Sequence, residues 1–247
     1  MIEIYKSSDM LFTGREWGSQ TDIFFASDTE KFLRFGDIIS LSSLKLSGRN
    51  HHEGMKLYRN TEFINIVLQG TVGYQDSFGT VSLFPGNTVQ VVSTGKGLYQ
   101  MEFNPSDSLL HKIQIGVLPN VINSTPVQTK AVFNLEENIN SFVEIVSPDR
   151  SSSSLSVRQD IAVLLGKFES DQHVGYSVNN NQIGLFVYVA EGSILVKEET
   201  IAAGEAIGIT DAADIIFHTQ TESILVVIET IITSERDGKS ENFYGRN

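Results

Sequence analysis

The sequence contains no cysteine, which excludes disulfides, thiolate metal ligation and cysteine nucleophiles, and leaves the redox compartment unread. Basic residues are scarce. Eighteen Lys and Arg against 30 Asp and Glu give a net charge of −12, which repels phosphate backbones and anionic lipid. Direct binding to nucleic acid or to a membrane surface is not expected. Long hydrophobic runs are also missing, and no window approaches the roughly 20 apolar residues of a membrane span. The opening stretch, MIEIYKSSDM, has no basic segment followed by an apolar run. Together these absences predict a soluble, cytoplasmic protein.

What is present is β structure. Segments rich in Val, Ile, Phe and Tyr, such as FINIVLQG, TVQVVSTGKG, LFVYVAEGSILV and SILVVIETII, recur between Gly, Asn, Asp and Ser punctuation. Helical periodicity is weak, and its best stretch, DTEKFLRF from Asp28 to Phe35, predicts only a short turn or connector. At 247 residues with 40% hydrophobic content, the chain is long enough for two small cores. An internal echo supports that division: VLQGTVGY followed by FPGNTVQVVSTGKG resembles VAEGSILV followed by IAAGEAIGITDA, with Gly70 and Gly192 in equivalent places. The boundary is placed near residue 130, giving domains over 1–130 and 131–235 and a polar tail over 236–247. Phe243 and Tyr244 are the tail residues able to pack, and RSSSSLS from Arg150 to Ser156 reads as a surface loop.

The stretch KLYRNTEFINIVLQG, 56–70, carries the functional signal. Read as one continuous strand, alternation places Lys56, Tyr58, Asn60, Glu62, Ile64, Ile66 and Leu68 on one face. That face is polar at one end and aliphatic at the other. It suits a small barrel whose bottom is filled by Ile and Leu while the mouth presents an amine, a phenol and a carboxylate. The plainer alternative is a solvated strand start with Lys56 and Glu62 on a wet rim.

Further residues follow in a pattern. Glu62 lies eight positions before Gly70, followed by Asp76-Ser77-x-Gly79, Phe84-Pro85-Gly86 and Ser93-Thr94-Gly95-Lys96-Gly97. This arrangement resembles the pirin family of bicupins, and GLFVYVAEGSILV with AAGEAIGI is similar to that family's C-terminal cupin, so the likeness covers roughly residues 20 to 230. The resemblance implies an all-β bicupin of two antiparallel, jelly-roll barrels. Metal-binding members hold iron or another divalent ion with two histidines as H-x-H, then a histidine and a glutamate two apart. The resemblance puts those slots at Lys56, Tyr58, Gln100 and Glu102.

Only the glutamate is retained. An ammonium cannot ligate, a phenol ligates poorly until deprotonated, and an amide oxygen is a weak donor. No metal is therefore predicted, and the pocket is expected to comprise Lys56, Tyr58, Glu62, Gln100 and Glu102, with a Lys56–Glu102 ion pair compensating the missing ion. His51 and His52 lie too far before Glu62 to match, and adjacent histidines point to opposite sides of a strand. In the second domain the slots aligned by Gly192 hold Val178, Asn180 and Gly184, and His218 stands alone at the position matching Gln100. His111 and His173 read as surface or strand-end residues. TGKG at 94–97 lacks the spacing of a phosphate loop, and no G-x-S-x-G or H-E-x-x-H is present.

Three functions follow as expectations. The first is a metal-free bicupin that binds a small molecule or serves as a regulatory or stress-related interaction protein. The second is an enzyme: a quercetinase-type dioxygenase opening a flavonol ring, for which iron or another divalent metal would be the cofactor, or a metal-independent catalyst using Glu102 or Tyr58 as acid or base. The third is a protein partner, as in pirins that act as transcription cofactors. Whether any catalysis occurs stays open at this point.

Overall fold

In the computed structural model the described residues are 1–24, 34–50, 54–148, 154–178, 180, 182–211 and 214–232. Expectations for the 28–33 stretch, His51, His52, Arg150 and the tail with Phe243 and Tyr244 fall outside them. The fold is the expected all-β bicupin. Among the described residues the helical elements are two short 3-10 turns, Ser7–Asp9 and Glu136–Asn138.

Among the described residues, four sheets make up the fold. The first has seven strands in the order Val127–Val132, Thr88–Ser93, Glu62–Gln69, Leu110–Val117, Ile38–Leu46, Gly18–Asp22 and Leu11–Arg15. It faces a sheet of four: Lys56–Tyr58, Leu98–Phe103, Thr71–Asp76 and Val81–Pro85. The second half repeats the scheme. Seven strands run Ile2–Tyr5, Ala206–Ile209, Ile183–Glu191, Ser223–Ile231, Ile161–Phe168, Ser141–Ser147 and Leu155–Ser156. Four more run His173–Ser177, Asp214–Thr219, Ser193–Val196 and Glu199–Ala202. The N-terminal strand Ile2–Tyr5 thus pairs antiparallel with Ala206–Ile209 in the second half. The pair between Ser141–Ser147 and Leu155–Ser156 is parallel.

The echo in the sequence has a backbone cause. Gly70 and Gly192 both adopt the left-handed region, at φ 79° and 80°. Each follows the long central strand of its half, and a Cβ there would strike the carbonyl oxygen of Leu109 or Glu222. Only glycine fits such a turn.

The opening stretch does not run as one strand. It breaks between Lys56–Tyr58 and Glu62–Gln69, where Asn60 takes φ 49°. Thr94 fixes the corner: its hydroxyl accepts the Thr61 N–H at 3.1 Å and donates to the Thr61 carbonyl at 2.9 Å. The Asn60 N–H reaches the Gly95 carbonyl at 2.9 Å.

Because of this corner the parity changes, and the expected shared face splits. Ile64, Ile66 and Leu68 do not fill the first barrel. They join a core common to both halves, with Phe186, Tyr188, Val226 and Ile228 from the second. The barrel interior instead receives the alternate residues of the strand. Val67 packs with Leu44, Val72, Tyr74, Phe84 and Leu110 at one end, and Phe63 packs with Val92, Leu98 and Tyr58 at the other. In the second half Leu185, Val187 and Val189 play the corresponding part.

Candidate functional site

Antiparallel pairing brings four of the expected residues to one face of the four-stranded sheet. Gln100 stands opposite Lys56 on one side and Asp76 on the other; Leu98 stands opposite Tyr58, and Glu102 opposite Tyr74. Residues in register share a face, so Lys56, Tyr58, Gln100 and Glu102 lie together. They differ in depth. Gln100 is buried, Tyr58 is half-buried with its ring edge-on to Phe63 at 5.0 Å, and Lys56 is exposed on the edge strand with its amine 5.7 Å from the Tyr58 ring centre.

Glu62 is not with them. Beyond the corner it faces the second half, where its carboxylate accepts the backbone N–H of Arg158 at 2.7 Å and bonds the Ser93 side chain. Burial raises its pKa, and these hydrogen bonds and the Arg158 charge offset part of that rise.

Within the barrel, Glu102 pairs with Lys112. The expected Lys56–Glu102 pair does not form. In the antiparallel register Lys56 lies opposite Gln100, and Glu102 lies beyond the end of the short edge strand. Lys112 instead comes from the facing sheet, on Leu110–Val117, and is only 2% exposed. Its amine also donates to Asn65 Oδ1 at 3.2 Å. Gln114 donates to the same oxygen at 2.9 Å, while the Asn65 amide donates to Gln90 at 2.9 Å. On the other sheet the Tyr74 hydroxyl donates toward Asp76 at 3.2 Å and Gln100 at 3.3 Å. A polar layer therefore crosses the barrel between its two apolar ends, and it leaves Glu102 Oε1 and Gln90 Nε2 buried without a hydrogen-bond partner among the described residues.

Lys112, Asn65, Gln90 and Gln114 carry this layer but are absent from the expected pocket. Their sequence signal is a polar residue interrupting an apolar strand: FINIVL, TVQVV and LHKIQIGV each contain one or more. A lysine is almost never fully buried unless paired, so a lysine in a continuous apolar strand points to an inward partner.

These residues do not fit a divalent ion. Of the four slots only Glu102 offers an anionic oxygen, and it is engaged by an ammonium. In the second half Val178 is buried and apolar. His218 stacks on His173, with ring centres 4.5 Å apart and planes at 18°, and its Nε2 lies 2.8 Å from Asp171. Parallel stacked rings do not converge their nitrogens on one point. His111 is buried rather than superficial, bonded to Ser43 at 3.1 Å, and its pKa is pushed down to about 4 by burial and by the charge of Lys45.

Residues 16–117 match the family model described as Pirin, and residues 144–230 match the one described as Quercetinase C-terminal cupin domain. Among curated proteins, Quercetin 2,3-dioxygenase of Escherichia coli (strain K12) is 25% identical over 177 residues, covering 71% of this chain and 75% of that protein. A Pirin-like protein of Caulobacter vibrioides is 24% identical over 173 residues, covering 70% and 74%. Among solved structures, bacterial pirin YhhW from Escherichia coli in complex with nickel(II) superposes with a TM-score of 0.85 at 22% identity, covering 94% of this chain and all of that one. Quercetin 2,3-dioxygenase from Acinetobacter baumannii gives 0.75 at 17%, covering 93% and 85%. At these identities the solved structures establish the fold.

Proposed function

Because the chain belongs to the pirin family, we propose that this member binds a small molecule at the N-terminal barrel face of Lys56, Tyr58, Gln100 and Glu102, without a resident metal ion. The single observation that carries the reading is the pairing of Glu102 with Lys112. The one anionic donor among the four slots is committed to an internal cation. The rest of the face is suited to recognition: Tyr58 with Phe63 offers an aromatic surface, Lys56 a positive charge at the rim, and Gln100 an amide below.

Equilibrium binding of a flavonol, followed by fluorescence quenching before and after chelator treatment, tests this. Binding is expected to survive the chelator and to weaken about 10-fold in Tyr58→Ala, the loss of one aromatic contact. Near-stoichiometric iron, nickel, copper or zinc in purified protein would overturn it. A second reading, a quercetinase-type oxygenase, is favoured by the likeness to proteins named Quercetin 2,3-dioxygenase over 71% of the chain. Oxygen uptake with a flavonol and added iron(II) or nickel(II) separates the two readings.

A further inference from the structure

We propose that Lys112 is the resident cation of the N-terminal barrel: its ammonium pairs with Glu102 Oε2, and its charge repels a divalent ion from the carboxylate as a whole. The inference stands apart from whether the barrel binds a small molecule. Glu102 belongs to the four-stranded sheet and Lys112 to the seven-stranded one, so the pair bridges the two sheets across the interior. A charge this deeply buried persists only when paired and hydrogen-bonded. Lys112 meets both conditions, through Glu102 and through Asn65.

The surroundings are oriented for a cation at this point. Asn65 Oδ1 receives both Lys112 and Gln114, and the Asn65 amide is fixed on Gln90, so the oxygen rather than the nitrogen of that side chain faces the ammonium. Two other charged groups share the row of Gln114, Asn65 and Gln90, but both stand toward the edges of the sheet: Asp22 accepts from Ser42 and Gln20, and the Lys130 amine lies 5.1 Å from the Phe84 ring centre. Asp76 accepts from Tyr74 and from the backbone N–H groups of Phe78 and Thr80, and Lys56 sits at the rim. A dication approaching Glu102 would meet the Lys112 charge in a low-dielectric interior, where repulsion is strong. Supplying imidazoles to the neighbouring positions is therefore not enough to create a metal site.

The test compares two variants by nickel(II) calorimetry. The triple variant Lys56→His, Tyr58→His, Gln100→His is expected to bind no better than the parent. Adding Lys112→Met is expected to raise affinity by on the order of 100-fold, as the freed carboxylate joins three imidazoles. Equal affinity in the triple and quadruple variants, or no binding by a folded quadruple variant, would overturn the proposal. Should the quadruple variant not fold, nitrogen-detected NMR of the lysine ammonium groups in the parent decides the matter. One slowly exchanging ammonium is expected, absent in Lys112→Met and shifted in Glu102→Gln; a Lys112 signal indistinguishable from those of solvated lysines would sink the idea.

Discussion

Glu62 accepts the backbone N–H of Arg158 at 2.7 Å, tying the central strand of the first half to a segment 96 positions later. A carboxylate that the sequence places at a barrel mouth is instead part of the seam between the halves. The corner at Asn60 is the cause, because one residue in the left-handed region ends the alternation that relates Tyr58 to Glu62.

That seam has a pH signature. Burial, the largest influence, raises the Glu62 pKa above its ordinary 4.5, so the folded state holds this proton more tightly than the unfolded one. Stability from this group is present below 4.5 and is lost as pH rises through the higher folded value. Glu62→Gln keeps an acceptor for Arg158 and does not titrate. Its stability relative to the parent should therefore increase between pH 4 and pH 8 in denaturant melts. Glu62→Ala, which leaves buried donors unpaired, should cost about 1–3 kcal/mol.

His111 acts in the opposite sense. Its pKa is held at about 4 against 6.5 when unfolded, so the unfolded chain binds the extra proton between those values. The contribution is complete above pH 6.5 and is lost as pH falls toward 4. By pH 5 the loss should reach about 2 kcal/mol. His111→Gln should flatten that part of the pH–stability curve, and an unchanged slope would remove His111 as its source. The imidazole's partner Ser43 is also hydrogen-bonded to Tyr188 of the second half, so this titration is felt at the same seam.

Phe186 tests how far the halves depend on one another. It is fully buried and packs within 5.5 Å of the ring centres of Tyr5, Phe24 and Phe35. Phe24 continues the first half's chain, while Phe186 lies on the central strand of the second. Phe186→Ala should cost about 3–5 kcal/mol. Since one core serves both halves, calorimetry should show a single transition moving down rather than a split into two. Two separated transitions would mean that the halves unfold independently.

Much of this fold was legible because its signals are local. Punctuated apolar runs gave the strands, and the Gly70 and Gly192 turns gave the repeat. The grouping of Lys56, Tyr58, Gln100 and Glu102 is legible only through the family pattern, and in the strand register the four share one face. Lys112 was not legible in the same way. Its partnership joins two sheets, and strand alternation says which residues share a face but not which sheet lies opposite. The side to which Ile64 and Ile66 point is hidden in the sequence for a related reason. Both sides of the Glu62–Gln69 strand are buried, so hydrophobicity alone does not mark the barrel side.

The corner itself yields the last prediction. Asn60 holds φ 49° while its side-chain oxygen accepts the Asn123 N–H at 2.7 Å. Two demands therefore fall on one position: tolerance of the left-handed region and an acceptor on a short side chain. Asp meets both, Gly meets only the first, and Val meets neither. Asn60→Asp should remain within about 0.5 kcal/mol of the parent, Asn60→Gly should lose roughly 1 kcal/mol through the hydrogen bond, and Asn60→Val should lose about 2 kcal/mol or more. The order matters more than the sizes. If the corner orients the binding face, Asn60→Val should also weaken the near-ultraviolet circular dichroism arising from Tyr58 against Phe63, because the Lys56–Tyr58 strand is positioned through this turn. A Val variant as stable as Gly, with that signal intact, would show that the chain reaches the same face by another backbone path.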